Sequence, residues 1–333
     1  MSADNIPTWQ MVMQQTITQI DDLFDYLHLD STNRQAFSIK SHFPIKVTRP
    51  FASRMQKNNP NDPLLKQILT PAATNPASFS QDPLAEKTHQ PLPSLIHKYH
   101  NRVLLTLTSV CASHCQYCFR QHFGYHNPTL SSAKQSLIPW LNERPHIHEL
   151  ILSGGDPLCL SDTKLKQWLD LFTQCSHLKR LRIHTRTPIF IPQRVTDQLC
   201  QTLKTFPLPV IIVIHTNHPN ELDASTKKAL HQLSQSCAQL LNQSVLLKGI
   251  NDDPSVLLSL SEKLFSQHVL PYYLHQLDPV DGSQSYALSN QQAGQIVASL
   301  AKQCSGYLMP RWVQEQPHLK AKRPLGIDPS DLT

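Results

Sequence analysis

Arg102-Val-Leu-Leu-Thr-Leu-Thr-Ser-Val-Cys111-Ala-Ser-His-Cys115-Gln-Tyr117-Cys118-Phe-Arg120 is the stretch on which the reading of this chain turns. An apolar run of strand character ends in a short polar turn, and three cysteines follow with the spacing C-x3-C-x2-C. Structural zinc takes four ligands, so three thiolates on one loop do not close a tetrahedral site by themselves. They can hold three irons of a cubane iron–sulfur cluster and leave the fourth iron open to a small molecule. Two plainer readings stand beside this one: a zinc knuckle that borrows a distant histidine, and three unrelated buried cysteines.

Downstream of the cysteines, short apolar runs bounded by turns alternate with longer helical patterns. The runs predict strands at residues 103–108, 149–153, 180–184, 210–215, 244–247 and 271–277. Helical patterns fall at 132–143, 162–175, 194–205, 224–241, 255–267 and 290–304. Six strands alternating with six helices predict parallel pairing with right-handed crossovers, an α/β architecture. Six units are too few for the eightfold barrel, and in such barrels reactive groups sit at the strands' C-terminal ends.

Upstream, apolar residues at helical spacing (Val12, Ile17, Ile20, Leu23, Phe24, Leu27) predict a helix over 9–29. Prolines then accumulate from Pro60 to Pro93, and only 64–69 reads as a helix. The apolar residues of this segment favour an extension packed on the body over a flexible arm. The expected division is an N-terminal helical and irregular extension (1–97), a barrel core (98–310) and a C-terminal segment (311–333).

Composition narrows the function classes. The 333 residues carry a net charge of +6, with the basic residues dispersed. Lys320-Ala-Lys322-Arg323 is too short a run to argue for nucleic acid, so no nucleic-acid partner is expected. The longest apolar run, Val210-Ile-Ile-Val-Ile214, has the length of a strand rather than the ~20 residues that span a bilayer, so no membrane partner is expected. Cys159, Cys175, Cys200, Cys237 and Cys304 are scattered singly and read as buried thiols. Thiolates in a cluster need a reducing compartment, which points to the cytoplasm. The sequence contains no serine nucleophile elbow, P-loop, Rossmann fingerprint or H-E-x-x-H.

The cysteine stretch, with Tyr117 just before the last cysteine, resembles the C-x3-C-x-aromatic-C signature of the radical S-adenosylmethionine (SAM) enzymes. The resemblance implies a [4Fe-4S] cluster on Cys111, Cys115 and Cys118, SAM chelated to its open iron, and an electron-donating reductant. It also implies a partial (β/α)6 TIM-like barrel, open on one side, with the cluster loop after the first strand. After the second strand comes Ser153-Gly154-Gly155-Asp156-Pro157, where adjacent glycines allow a close backbone approach. Radical SAM enzymes place a similar segment there to receive the methionine amino group. Arg186, His215 and Gln243 mark the next three expected strand ends, although such a residue taken alone is more often a strand-end hydrogen-bonder than a ligand contact.

Together with Cys118-Phe-Arg120, these segments resemble lysine 2,3-aminomutase over residues 60–325. That likeness implies that His215 and Gln243 contact SAM and that Arg120 holds the substrate carboxylate, a bidentate task suited to a guanidinium. It implies a pyridoxal phosphate (PLP) whose phosphate lies near Arg102 and Lys98. Aligning Ser305-Gly-Tyr307 at one end and Lys322-Arg-Pro324 at the other without gaps puts the PLP lysine at Lys322. The glycines usual before that lysine are replaced by His318-Leu-Lys-Ala321, which leaves Lys320 as a rival. Asp278 and Glu315 match two carboxylates that grip the ε-ammonium of L-lysine; the plainer readings are a cap and a solvated acid. Clostridial-type members carry a cysteine cluster for structural zinc, whereas this chain has no cysteine after Cys304 and has Asp253 where another zinc cysteine would fall, so no zinc site is expected. The short bacterial members it resembles make (R)-β-lysine, which a separate ligase attaches to elongation factor P (EF-P). The expected function is therefore that of an isomerase linked to EF-P and its lysyl ligase. The rivals are an aminomutase of catabolism or osmolyte synthesis, or of another amino acid, and more distantly a non-catalytic electron carrier.

Overall fold

The computed structural model describes residues 8–38, 42–72 and 79–332. Strands β1 (Phe37–Ser38) and β2 (Thr70–Pro71) form a small antiparallel ladder. A second sheet has nine strands: β3 (Leu95–Tyr99), β4 (Arg102–Thr108), β5 (Glu149–Gly154), β6 (Arg180–Thr185), β7 (Val210–Ile214), β8 (Gln239–Leu246), β9 (Leu270–Gln276), β10 (Arg311–Gln314) and β11 (Arg323–Pro324). They lie side by side in chain order. β4 to β10 run parallel, and the edge strands β3 and β11 are antiparallel to their neighbours.

Parallel neighbours need a crossover, and helices supply it. Five of these helices, Asp162–Phe172, Asp197–Thr205, Ala224–Ser234, Pro254–Phe265 and Asn290–Ala301, start at an N-cap whose side chain accepts a first-turn N–H: Ser161, Thr196, Asp223, Asp253 and Ser289. Strand alternation then sorts the faces. On β6, Leu181 and Ile183 enter the hydrophobic core, and Arg182 and His184 lie on the opposite face.

The sheet is rolled. In a flat sheet, seven strand spacings would separate β3 from β10, about 34 Å at ~4.8 Å each. Yet Lys98 on β3 lies 2.5 Å from Glu315, the residue following β10. Side chains therefore bring the two edges together, and the result is the α/β partial barrel expected from the alternating pattern.

Several expectations change in detail. The single helix over 9–29 is two, Trp9–Gln14 and Ile20–Leu27, because Ile17 between them pairs its backbone with Val47. The helix over 224–241 ends at Ser234, and β8 starts at Gln239 instead of 244, since Gln239 to Asn242 pair with β7. Here tertiary pairing overrides helical spacing. β3, β10 and β11 were not predicted, being short edge or near-edge strands. The division at 97/98 falls inside β3, and 311–333 contributes β10 and β11, so one sheet crosses both expected boundaries. One core likewise joins Trp9, Leu23 and Leu27 of the extension to Leu150, Leu181 and Ile212 of the sheet. Among the described residues, no helix is long and apolar enough to cross a membrane.

The cysteine loop is stitched to the end of β5. Gly155 N donates to Thr108 O at 2.6 Å, and Asp156 N to Val110 O at 2.8 Å. A Cβ on Gly154 would lie 2.6 Å from Thr108 O, and its φ of +121° is strained for other residues. Gly154→Ala is expected to destabilise the fold by at least about 1–3 kcal/mol, from backbone strain alone. Urea unfolding measures this, and a variant as stable as the parent would show that the loop can retreat.

Candidate active site

The three cysteines follow β4 on a loop held by the N-terminal extension. Lys46 Nζ donates to Cys111 O at 2.8 Å, His114 N to Lys46 O at 2.9 Å, and Gln116 N to Gln67 O at 2.9 Å. Burial, Asp156 and the other cysteines push the Cys111 thiol well up. Burial and Cys115 push Cys118 to about 11. Three half-buried thiols on one loop, with Cys111 and Cys118 raised by burial and by neighbouring thiols, fit a group that brings positive charge, as the irons of a cluster do. Cys159, Cys175 and Cys237 are raised chiefly by burial; Cys159 also feels Asp156 and acts on the Cys111 thiol.

Beside the loop lies a buried polar network. Arg186 donates from Nη1 to Cys115 Sγ at 2.8 Å and to the Tyr117 hydroxyl, and from Nη2 to Glu221 Oε2 at 2.9 Å and Gln67 Oε1 at 2.5 Å. Burial opposes the charge on Glu221, but Arg186 outweighs it and holds the carboxyl down to about 2. His215 Nε2 lies 2.9 Å from the Tyr117 hydroxyl and 3.3 Å from Asn217 Nδ2. Burial first, then Arg186, lowers His215 to about 3, so the ring is neutral. Asn217 also bonds Gln67 Oε1 and takes its own N–H to Glu221.

A second set of charges lies across the barrel interior. Arg120 donates from Nε and Nη2 to the two Glu86 oxygens at 2.8 and 2.6 Å, and from Nη1 to Ser153 Oγ at 3.0 Å. Glu315 Oε1 accepts from Lys98 at 2.5 Å and Oε2 from Lys322 at 2.8 Å, while the Tyr99 hydroxyl meets both oxygens. Burial would raise Glu315, but Lys322, Lys98 and Tyr99 bring it to about 2. Register explains the Lys322 contact: Gln314 faces Arg323 in the β10–β11 hairpin, so Glu315 and Lys322 are the next facing pair. Asp278 stands within reach of the same charges. Burial, against Lys322 and aided by Glu315 and Glu86, raises it to about 7, and its Oδ1 has no hydrogen-bond partner among the described residues.

The two sets meet at His184. Burial and the charges of Arg182, Lys322, Arg120 and His215 keep its imidazole neutral. His184 Nε2 and His275 Nε2 are buried without partners, and Lys322 acts on both rings. Orphaned polar atoms beside a lysine fit a polar ligand there.

The expected residues thus converge, with some reassignments. Gly154 and Gly155 are pressed against the backbone of 106–110, so their lack of a Cβ serves chain packing. Asp156 accepts from Leu158 N, Thr185 Oγ1, Arg186 N and Thr187 N, which fills its acceptor capacity within the chain. Gln243 lies inside β8 rather than at a strand end, and its backbone bonds the His215 ring. Arg102 opens β4 and stacks 4.0 Å from the Tyr99 ring centre. Glu315 is a buried, fully engaged carboxylate rather than a solvated acid. Lys320 is exposed. Asp253 caps the helix Pro254–Phe265. Glu86, Gln67, Asn217, Glu221, His184 and His275 were not singled out from the sequence. Only the histidines had a local signal, being polar residues on alternating strand positions.

No family model matches the chain. It is 41% identical to the L-lysine 2,3-aminomutase of Buchnera aphidicola, over 94% of each chain. It is 40% identical to that of Escherichia coli, over 96% of this chain and 94% of the other. With the Clostridium subterminale L-lysine 2,3-aminomutase identity is 32%, over 95% of this chain and 77% of the relative. Among solved structures, a radical SAM methyltransferase from Sphaerobacter thermophilus matches 70% of this chain and 73% of its own, at 14% identity and a TM-score of 0.49.

Removing one partner of a buried ion pair strands the other. Glu221→Ala is expected to cost about 3–5 kcal/mol in unfolding free energy, because Arg186 stays buried without its carboxylate. Equal urea midpoints and slopes for variant and parent would sink that account.

Proposed function

The chain belongs to the L-lysine 2,3-aminomutase family of radical SAM enzymes, and from that membership we propose that it converts L-lysine to (R)-β-lysine for attachment to EF-P. The observation that carries the substrate is the presence in one barrel interior of a guanidinium with N–H groups to spare and of a carboxyl with an unpaired oxygen. Arg120 lies to one side, and Asp278 and Glu315, with Lys322 against them, to the other. L-lysine offers a carboxylate to the first and an ε-ammonium to the second.

In this reading Cys111, Cys115 and Cys118 hold the [4Fe-4S] cluster, fed by an external reductant. The segment Gly154-Gly155-Asp156, with Arg186, His215 and Gln243, walls the SAM site. Lys322 carries PLP, Lys98 and Arg102 lie toward its phosphate, and His184 and His275 offer their unpaired nitrogens. When bound, SAM on the cluster supplies a hydrogen-abstracting radical, and PLP a conjugated system that takes up unpaired spin. The chain's own part is placement: Arg120 fixes the carboxylate, Asp278 and Glu315 fix the ammonium, and burial keeps water from the reacting carbons. The chain covers 94% of the Escherichia coli relative but 77% of the clostridial one, which fits the short form on whose likeness the EF-P role rests. A thiolate cluster supports a cytoplasmic setting.

Anaerobic incubation of the reconstituted protein with SAM, a reductant and L-lysine is expected to yield β-lysine; no product would sink the reading. Free β-lysine accumulating in cells whose EF-P stays unmodified would assign the product elsewhere. Borohydride reduction of PLP-loaded protein followed by peptide mapping is expected to find the pyridoxyl group on Lys322, which the Glu315 contact holds inward. A pyridoxyl on Lys320 would overturn the gapless alignment.

Asp278 predicts a pH dependence. A carboxyl raised to about 7 is neutral below that pH and charged above it. An ammonium ligand needs the charged form, so kcat/KM for lysine should rise with pH through about 7. Asp278→Asn should remove that limb. Losing a partner of a buried charge costs about 3–5 kcal/mol, so turnover should fall at least about a hundredfold, with SAM binding unchanged. An unaltered pH profile would place the ammonium elsewhere.

A further inference from the structure

The Glu86–Arg120 contact is absent from everything the sequence suggested. Glu86 lies in the proline-rich extension and is buried with Arg120, at side-chain exposures of 11% and 7%. We propose that Glu86 is a positioning residue of the carboxylate subsite, holding one edge of the Arg120 guanidinium so that its remaining N–H groups meet the substrate carboxylate. The inference rests on the assignment of Arg120 to that carboxylate.

A guanidinium has five N–H groups. Glu86 takes one on Nε and one on Nη2, and Ser153 Oγ takes one on Nη1. One N–H remains on each terminal nitrogen, and a carboxylate is the acceptor that uses a pair of them. Two aromatic rings lie close as well, with the guanidinium carbon 4.8 Å from the Phe119 ring centre and 5.8 Å from that of Phe123. With one edge held and the rings beside it, the group has little freedom left to lose when a ligand binds. Glu86 also neutralises Arg120, so the subsite recognises a carboxylate by the direction of its hydrogen bonds more than by net charge.

The backbone that presents Glu86 is itself fixed. Glu86 N donates to Asp82 Oδ1 at 2.9 Å, and Ala85 before it is left-handed, with φ of +50°. Ser80 exchanges backbone bonds with the loop after β9, Ser80 N to Pro279 O and Asp281 N to Ser80 O, each at 3.0 Å. That loop carries Asp278. The extension therefore ties the residue that orients the carboxylate end to the loop that binds the ammonium end.

Glu86→Gln tests this in the reconstituted holoenzyme. Glutamine presents one acceptor and one donor to two N–H donors, so the fork breaks while side-chain volume is kept. KM for L-lysine should rise about tenfold, on the scale of one charged hydrogen bond, with kcat changed less than about threefold. L-lysinamide, which lacks the carboxylate, should inhibit variant and parent within about twofold of one another, because nothing of it depends on the fork. Glu86→Asp, keeping both acceptors, should recover most of the affinity. Equal weakening of lysine and lysinamide, or an unchanged KM, would overturn the proposal. If Glu86→Gln lost its iron or its thermal transition, Glu86→Asp would carry the same comparison through its smaller shift. A parent protein that makes no β-lysine would instead remove the reading of Arg120 on which the proposal rests.

Discussion

One carboxylate closes the barrel. Glu315, just past β10, bonds Lys98 and Tyr99 on β3 and Lys322 beside β11. Among the described residues no backbone ladder joins these two edges; side chains do, and the interior they enclose depends on that junction. The cost of burying Glu315 is offset only because two ammonium groups and a phenol meet it. The same contact places the extension opposite the C-terminal hairpin, so that residues from both ends of the chain line the interior.

Electrostatics divides that interior into two zones. Toward the cysteine loop, Arg186 and Glu221 neutralise one another, and His215 is held uncharged by burial and by Arg186. Apart from Asp156, whose acceptors are filled within the chain, negative charge there would come from thiolates, which a metal cluster stabilises in so buried a place. Toward Glu315, Lys98, Lys322 and Arg120 stand against Glu86 and Glu315, with Asp278 as the acid whose charge is undecided near neutrality. His184 lies where the two zones meet.

Local patterns carried much of this into the sequence. The cysteine spacing and the apolar runs of β4 to β7 and β9 are short-range signals, and the alternation of strand and helix follows from them. Gln239 to Asn242 misled because an amphipathic run can satisfy a helix or a strand, and pairing with β7 decides. Glu86 was not legible at all. It sits in an irregular segment 34 positions before Arg120, and nothing local distinguishes it from a surface acid. Glu221 was passed over because its value lies in Arg186 and Gln67, two distant parts of the chain. Buried charge pairs are long-range features, and a single sequence does not show its pairings.

The division of labour between Asp278 and Glu315 follows from what each already holds. Glu315 accepts from two ammonium groups and a hydroxyl, so both its oxygens are engaged. A further ammonium could join it only where one of the lysines had given up its charge. Asp278 is the reverse case: Oδ1 lacks a partner, and burial keeps the carboxyl near the point of losing its proton. Bringing an ammonium beside it supplies the missing partner and draws the proton off, so the binding energy includes the cost of that ionisation only below neutrality. An uncharged side chain of similar length offers no such compensation and would leave Oδ1 unpaired, a loss of about 1–3 kcal/mol. On the proposed reading, discrimination in favour of a cationic ligand comes from the acid whose Oδ1 has no partner among the described residues, while Glu315 maintains the enclosure in which that acid is raised.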